Sequence, residues 1–312
     1  MKRNSTILLA ILALLAIATF FVLRQPGEQS VSDSTGGPLV TYDSAAVDKM
    51  EIRSNNGTVT LEKQGGKWMI TSSMKYAADE ASVTTAVGKG KDLKITNTVS
   101  TNPAKQGVYA VDSTGTLVQV FANNNQVAAF RVGKPSSSWT ETYARREGSN
   151  EVYSVDGVLS TTFLKAANDW RDKTIFKTDQ SKIREVKFQF PAIGGYGDTT
   201  FTLTKKDSVN WVIGSDSTIN SNVTSFLSSL ANFQSDEFVD SAITVMPKLT
   251  AAIETHGTQL RFYKRTDGKY YVQSSSSPNP HGAGQWFAVQ EWKAGQVLKR
   301  NKDFVPSPTA KK

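Results

Sequence analysis

Apolar and polar positions alternate in two stretches of this chain, and the two stretches follow the same order. Met50, Ile52, Val59 and Leu61 alternate with Glu51, Arg53, Thr58, Thr60 and Glu62. That is the period-two pattern of half-buried strands, with Asn55-Asn56-Gly57 as a hairpin turn. Gly65-Gly66 makes the next turn, and Trp68 and Ile70 open a third strand. Later, Ile183, Val186 and Phe188 lead through Thr200-Phe201-Thr202-Leu203-Thr204-Lys205 to Asn210-Trp211-Val212-Ile213. Self-similarity at so long a period indicates a duplicated domain, because solenoid repeats are several-fold shorter.

The remaining pattern fills out each half. In the first, Asp79 is placed to cap a short helix through Val87. Leu117–Phe121 and Val127–Val132 alternate around Asn123-Asn124-Asn125, and 141–145 pairs with 151–155 around Gly148. Val158, Leu159, Phe163, Ala166, Ala167 and Trp170 recur at helical spacing and predict a closing helix over 158–170. In the second, Ile183–Phe190 and Thr199–Lys205 form a hairpin around Gly194-Gly195-Tyr196-Gly197. Asn220 caps a helix carrying Val223, Phe226, Leu227 and Leu230. Leu260–Tyr263 and Tyr270–Gln273 flank Asp267-Gly268, and Trp286–Val289 corresponds to Val152–Val155. The expected fold is α+β: two tandem copies of a strand-rich antiparallel domain with few helices, after one N-terminal transmembrane helix. The expected domains are 47–177 and 178–312.

The N-terminus has its own pattern. Lys2 and Arg3 precede a near-continuous apolar run, Ile7–Leu23, closed by Arg24, Pro26 and Gly27. As a helix it spans about 25 Å, slightly short of a hydrocarbon core of about 30 Å. The positive flank predicts a cytoplasmic N-terminus with the bulk of the chain outside the cytoplasm. The competing reading is a cleaved signal peptide ending at Ala16-Ile17-Ala18, which would leave Phe20-Phe21-Val22-Leu23 exposed. Residues 25–46, rich in Gly, Ser, Asp and Pro, read as a flexible tether.

The path from Val47-x-x-Met50-x-Ile52 through Gly66-Lys67-Trp68, Tyr76-Ala77-Ala78-Asp79 and Val99-Ser100-Thr101-Asn102-Pro103 to Trp170-Arg171-Asp172-Lys173-Thr174 carries a resemblance. It resembles the bacterial, membrane-anchored domain-of-unknown-function 4340 family, best over 47–177 and more loosely over 183–305. The resemblance implies a single N-terminal membrane segment and an inner-membrane location. It also implies tandem domains and an association with ABC-type transport components of the kind linked to gliding motility. It brings no catalytic residues. Gly107-Val108-Tyr109-Ala110-Val111 departs from the family's tyrosine-glycine-leucine element by placing alanine after Tyr109.

Composition narrows the chemistry. The 312 residues hold no cysteine, which excludes disulfides, thiolate nucleophiles and iron–sulfur clusters. The net charge of +8 is spread over both halves; the clusters Lys89–Lys94 and Lys299–Lys302 read as solvated faces, not a nucleic-acid stripe. His256 and His281 lie in loops without a second histidine at ligand spacing. Gly88-Lys89-Gly90-Lys91 and 194–197 lack phosphate-loop spacing, and Ser72-Ser73-Met74-Lys75 lacks the helix start that a Ser-x-x-Lys nucleophile requires. Asp79-Glu80 and Asp236-Glu237 are the acids that a carboxylate-only enzyme would use. Trp139, Tyr143, Trp286 and Trp292 are candidates for a glycan or partner surface. The expectation is a non-catalytic, extracytoplasmic accessory or scaffold protein without cofactor. The alternative is a cell-wall or surface-polysaccharide binding module.

Overall fold

A computed structural model describes residues 36–72, 75–192, 199–276 and 285–306. The apolar run Ile7–Leu23, His281, and the glycine-rich turn 194–197 lie outside the described residues. Among those described, no helix is long and apolar enough to cross a membrane. The described chain divides into two compact units: residues 36–72 with 80–170, and residues 75–79 with 171–306.

The first unit is an antiparallel sheet backed by one long helix. Its strands are β1 (Val47–Ser54), β2 (Gly57–Gln64), β3 (Lys67–Ile70), β4 (Ile95–Ser100), β5 (Thr116–Ala122), β6 (Asn125–Pro135), β7 (Glu141–Arg146) and β8 (Val152–Asp156). They are hydrogen-bonded in the order β3-β2-β1-β5-β6-β7-β8-β4. The turns set the register. Gly65 (φ 57°) and Gly66 (φ 81°) form a two-residue link, as do Asn123 (φ 52°) and Asn124 (φ 62°). Left-handed residues at both positions match the twist of the strands they join. Met50 faces Leu61 and Ile52 faces Val59, so one face of the sheet is continuously apolar and buried. Helix α1 (Glu80–Lys91) covers that face with Val83, Ala86 and Val87.

Three expectations for this unit are corrected. Residues 36–46 are docked, so the tether reading fails for that part. Gly36 and Leu39 N–H bond to the carbonyls of Ile95 and Leu93, Leu39 and Tyr42 are buried, and the Tyr42 hydroxyl donates to the Val87 carbonyl at 2.6 Å. Gly90 makes the room, since a Cβ there would stand 2.5 Å from that hydroxyl. The closing helix over 158–170 reduces to one short helix, α2 (Ser160–Phe163), and a 3-10 turn, Ala167–Trp170. Leu159, Phe163 and Trp170 are buried, whereas Val158 and Leu164 face solvent, so the apolar spacing was shared by a loop. The unit also ends earlier than 177, at Trp170.

The second unit holds β9 (Thr174–Lys177), β10 (Glu185–Phe190), β11 (Thr199–Lys205), β12 (Trp211–Ile213), β13 (Asp216–Ser217), α3 (Asn220–Ala231), β14 (Asn232–Gln234) and β15 (Glu237–Val239). It continues with β16 (Leu249–Thr255), β17 (Thr258–Lys264), β18 (Tyr270–Ser274), β19 (Trp286–Val289) and α4 (Glu291–Val297). Its main sheet runs β13-β12-β11-β10-β16-β17-β18-β19-β15, and β9 pairs separately with β14. From β12 to β15 this is the order of the first sheet from β3 to β4. The core is aromatic: Phe188 stacks on Phe201 with centroids 4.5 Å apart, and Phe226 and Phe304 close around it at 5.4 and 5.8 Å.

Residues 75–79 belong to this unit through Arg171. The Asp172 N–H bonds to the Ala77 carbonyl at 2.9 Å, and Ala78 forms an antiparallel bridge with Arg171. The Arg171 guanidinium lies 4.1 Å from the Tyr76 ring and 3.6 Å from the Phe238 ring, and donates to Asp240 at 2.7 Å. Burial is the main cause that pushes the Tyr76 hydroxyl pKa up to about 12. One cap is corrected: Asn220 is the first helical residue of α3, and Ile219 holds the N-cap position with no side-chain cap bond.

Candidate interaction surfaces

Trp139 sits in the link between β6 and β7. The link is pinned by Ser136 N–H to the Glu141 carbonyl at 2.9 Å and Trp139 N–H to the Ser136 carbonyl at 3.1 Å. A row of hydroxyls, Ser136 to Ser138 at 2.8 Å and Ser138 to Thr140 at 3.0 Å, laces its interior. Gly157 N–H then bonds to the Thr140 carbonyl at 2.9 Å and anchors the loop to the chain after β8. The outcome is a tryptophan 75% exposed at φ 60°. A bulky residue in the left-handed region carries strain, and such strain concentrates where a side chain must be presented.

The other candidate aromatics have different settings. Tyr143 on β7 is half-buried, its ring edge-on to Tyr109 with centroids 4.8 Å apart. Trp292 on α4 is 63% exposed, with Lys293 Nζ 5.6 Å from its ring centroid. Trp286 is half-buried on β19, within a cluster the sequence did not suggest: Tyr263 and Tyr271 stand 5.4 and 6.4 Å from it. Trp139 and Tyr143 belong to the first unit, Trp286 and Trp292 to the second. The missed signal was alternation. Gln259, Arg261 and Tyr263 recur at period two before the Asp267-Gly268 turn, and Tyr271 and Gln273 after it, so both sets share the face that Trp286 occupies.

Glu80, Asp236 and Glu237 hold structural bonds. Glu80 accepts the Trp68 N–H at 2.9 Å and so ties α1 to β3. Asp236 accepts the Gln290 N–H at 2.9 Å and Lys293 Nζ at 2.5 Å, which fixes the start of α4. Glu237 pairs with Lys269 at 2.5 Å. Asp79 precedes α1 and is half-buried. His256 is exposed at φ 51° in the two-residue link between β16 and β17. It borders a groove of about 310 Å³ with Lys182, Arg184, Lys187, Glu185 and Glu254, where Lys187 already pairs with both glutamates at 3.4 and 4.0 Å. Ser72 Oγ accepts the Thr60 N–H at 3.1 Å, and residues 73 and 74 of the Ser-x-x-Lys stretch lie outside the described residues. Gly88-Lys89-Gly90-Lys91 forms the last turn of α1. Among the described residues, no group of three His, Asp or Glu gathers as a metal would require.

Two arginines, Arg145 buried and Arg146 half-buried, brace the first unit. Arg145 donates to the Val111 and Ser149 carbonyls at 2.8 and 2.7 Å, and burial lowers its pKa from the usual arginine value. Arg146 reaches the Leu39 carbonyl at 2.5 Å and the Tyr153 hydroxyl at 2.8 Å, which fastens the docked segment.

These features define a strand-rich α+β protein whose sheets share a strand order, with an exposed tryptophan on a braced loop and half-buried aromatics on one sheet face. The chain belongs to the family described as a domain of unknown function (DUF4340), whose family model matches residues 68–251, from β3 of the first unit into β16 of the second. No curated protein and no solved structure matches the chain.

Proposed function

We propose that this protein is a non-catalytic accessory or scaffold subunit of the bacterial envelope. Two copies of one α+β domain are carried outside the cytoplasm by an inner-membrane anchor, Ile7–Leu23, with the N-terminus inside. The partner is a membrane protein of an ABC-type transport or gliding-motility-like assembly. Trp139 carries the reading: a largely exposed indole is held in strained backbone by a loop bonded at both ends. Such exposed tryptophans are the residues on which protein interfaces concentrate their energy. The engagement of Glu80, Asp236 and Glu237 in structural bonds supports a role for them other than catalysis. A photo-crosslinking residue replacing Trp139 in intact cells should capture a membrane-embedded subunit, and one replacing exposed Val245 should not. Equal capture from both positions would sink the reading.

A second reading, binding of cell-wall or surface polysaccharide, is favoured by the Tyr263–Tyr271–Trp286 cluster on an open sheet face. Retention of the chain on purified cell wall, without any membrane partner, would favour it over the first.

A further inference from the structure

One face of the second sheet carries the apolar core beneath α3 and α4; Leu260, Phe262, Val272 and Phe287 point into it. The opposite face is polar and aromatic. Register places Arg261 opposite Gln273 and Gln273 opposite Trp286, so these three form a row across β17, β18 and β19. One step along, Tyr263 stands opposite Tyr271, and both rings contact Trp286. Beside them, Gln259, Arg261, Gln273, Ser274 and Ser275 line a groove of about 220 Å³.

The charge state of that groove separates it from the larger one at His256. There, Lys187 is held between two glutamates. Arg261 instead has no carboxylate partner among the described residues; its Nε donates to Gln259 Oε1 at 2.7 Å, which orients the guanidinium and leaves its terminal nitrogens for a ligand. A planar fork of donors matches a carboxylate bidentately. Aromatic rings offer apolar faces of the size of a sugar ring. Amide and hydroxyl side chains donate to and accept from sugar hydroxyls. All three occur within one row and its neighbour. The protein's charge of +8 biases encounters toward anionic polymers.

We propose that this groove binds a carboxylate-bearing saccharide unit, with Arg261 on the carboxylate, the Trp286 cluster against the sugar ring, and the Gln259 amide on its hydroxyls. The site rests on the polysaccharide reading and is independent of the scaffold reading.

The test titrates the full-length chain with a uronic-acid oligosaccharide, with its carboxyl-reduced form and with inorganic phosphate, following tryptophan fluorescence. The uronic-acid form should bind best. R261A should weaken it about tenfold or more, the loss expected for one charge-assisted pair. R261K should recover part of the affinity, because it keeps the charge and loses the fork. Arg261 is exposed, so R261A should melt as the wild type does, which keeps the test sound even if Trp286→Ala fails to fold. Equal binding of the carboxyl-reduced form would overturn the acidic class while leaving a glycan surface. Wild-type affinity in R261A would place the site elsewhere and overturn the assignment. Equal competition by phosphate would reduce the groove to a general anion site and overturn it too. Failure to bind either saccharide would remove this proposal and the polysaccharide reading together, and leave the scaffold reading standing.

Discussion

Trp68 and Trp211 hold the same position in two sheets of one strand order: Trp68 stands opposite Lys63 across β2 and β3, and Trp211 stands opposite Lys205 across β11 and β12. Both indoles are buried, 4% and 6% exposed. In the first unit Lys63 Nζ lies 5.2 Å from the Trp68 ring, so the lysine stem shields the indole while its charge stays in water.

Trp68→Ala or Trp211→Ala should therefore each cost about 3–5 kcal/mol, the range for emptying a buried aromatic site. Denaturant unfolding of the single variants measures it. A loss below about 1 kcal/mol at either position would mean that the site collapses and that the indole is not a core element.

Ala110 stands at φ 53°, in the left-handed region that favours glycine. Left-handed backbone costs an L-residue about 1–2 kcal/mol, and glycine's extra freedom in the unfolded chain returns part of that. Ala110→Gly should stabilise the protein by about 0.5–1 kcal/mol. The same loop is pressed against two glycines: a Cβ at Gly133 would lie 2.3 Å from the Tyr109 carbonyl oxygen, and one at Gly115 2.4 Å from that of Ala110. Gly133→Ala should cost at least about 1–3 kcal/mol, because the obstacle is backbone. Thermal melts of the two variants shifting in the same direction would contradict this account.

Much of the fold was legible, and the reasons are local. Met50, Ile52, Val59 and Leu61 alternate because one face of a sheet is buried, and the left-handed glycine and asparagine pairs announce their hairpins. What escaped was long-range. Tyr42 looked like part of a tether because nothing near it in sequence shows that Gly90 leaves a space for it. In the second unit the comparable helix fills its own space: α1 buries Val83, Ala86, Val87 and Gly90, whereas α3 buries Val223, Phe226, Leu227 and Leu230 at the same spacing. Likewise the Ile52–Val59 pair is matched by the Phe188–Phe201 stack, with Phe304 from the end of the chain completing it. Candidate surface residues were the least legible. Trp139 stood out by residue type, but Arg261 and Gln273 gain meaning only once strand register puts them beside Trp286.

Arg171 is 3% exposed and its partner Asp240 is 53% exposed. Removing the carboxylate leaves a buried guanidinium between the Tyr76 and Phe238 rings without its ion pair. Asp240→Ala should cost more than the roughly 1 kcal/mol of an exposed pair, yet less than the 3–5 kcal/mol of a fully buried one, because water reaches this side of the contact. A fragment beginning at Arg171 lacks Tyr76 and Ala77, and it should melt below the intact second unit. Calorimetry of the fragment, with and without a peptide spanning residues 75–79, would show whether that segment is an integral part.

Asp207 gives a pH dependence. Its carboxylate accepts the Asn210 side-chain amide at 2.9 Å and the Asn210 and Val209 N–H groups at 2.8 and 2.9 Å. These bonds, that of the Asn210 side chain first, pull its pKa from the ordinary 3.8 to about 2. A depressed folded pKa favours the ionised folded form, so the stabilisation is complete above the ordinary value and is lost as pH falls toward 2. The stability gap between wild type and Asp207→Ala should therefore be constant at neutral pH and narrow between pH 3.8 and about 2. A gap that widens on acidification would show that the carboxylate is not what closes the turn.

Trp139 sets stability against binding. Its backbone at φ 60° carries a cost that asparagine, which tolerates the left-handed region, largely avoids. With 75% of its surface exposed, its side chain contributes little packing to the fold. Trp139→Asn should thus raise stability by about 1 kcal/mol, and Trp139→Gly by less, since glycine returns freedom to the unfolded chain. If the indole anchors a membrane partner, the same variants should lower partner recovery from membranes, because a central tryptophan carries about 2 kcal/mol or more of an interface. The opposed signs are the decisive feature. A purely structural tryptophan would lose stability and partner together. Loss of stability in Trp139→Asn, measured by denaturant unfolding, would show that the exposed ring supports the loop and does not serve a partner.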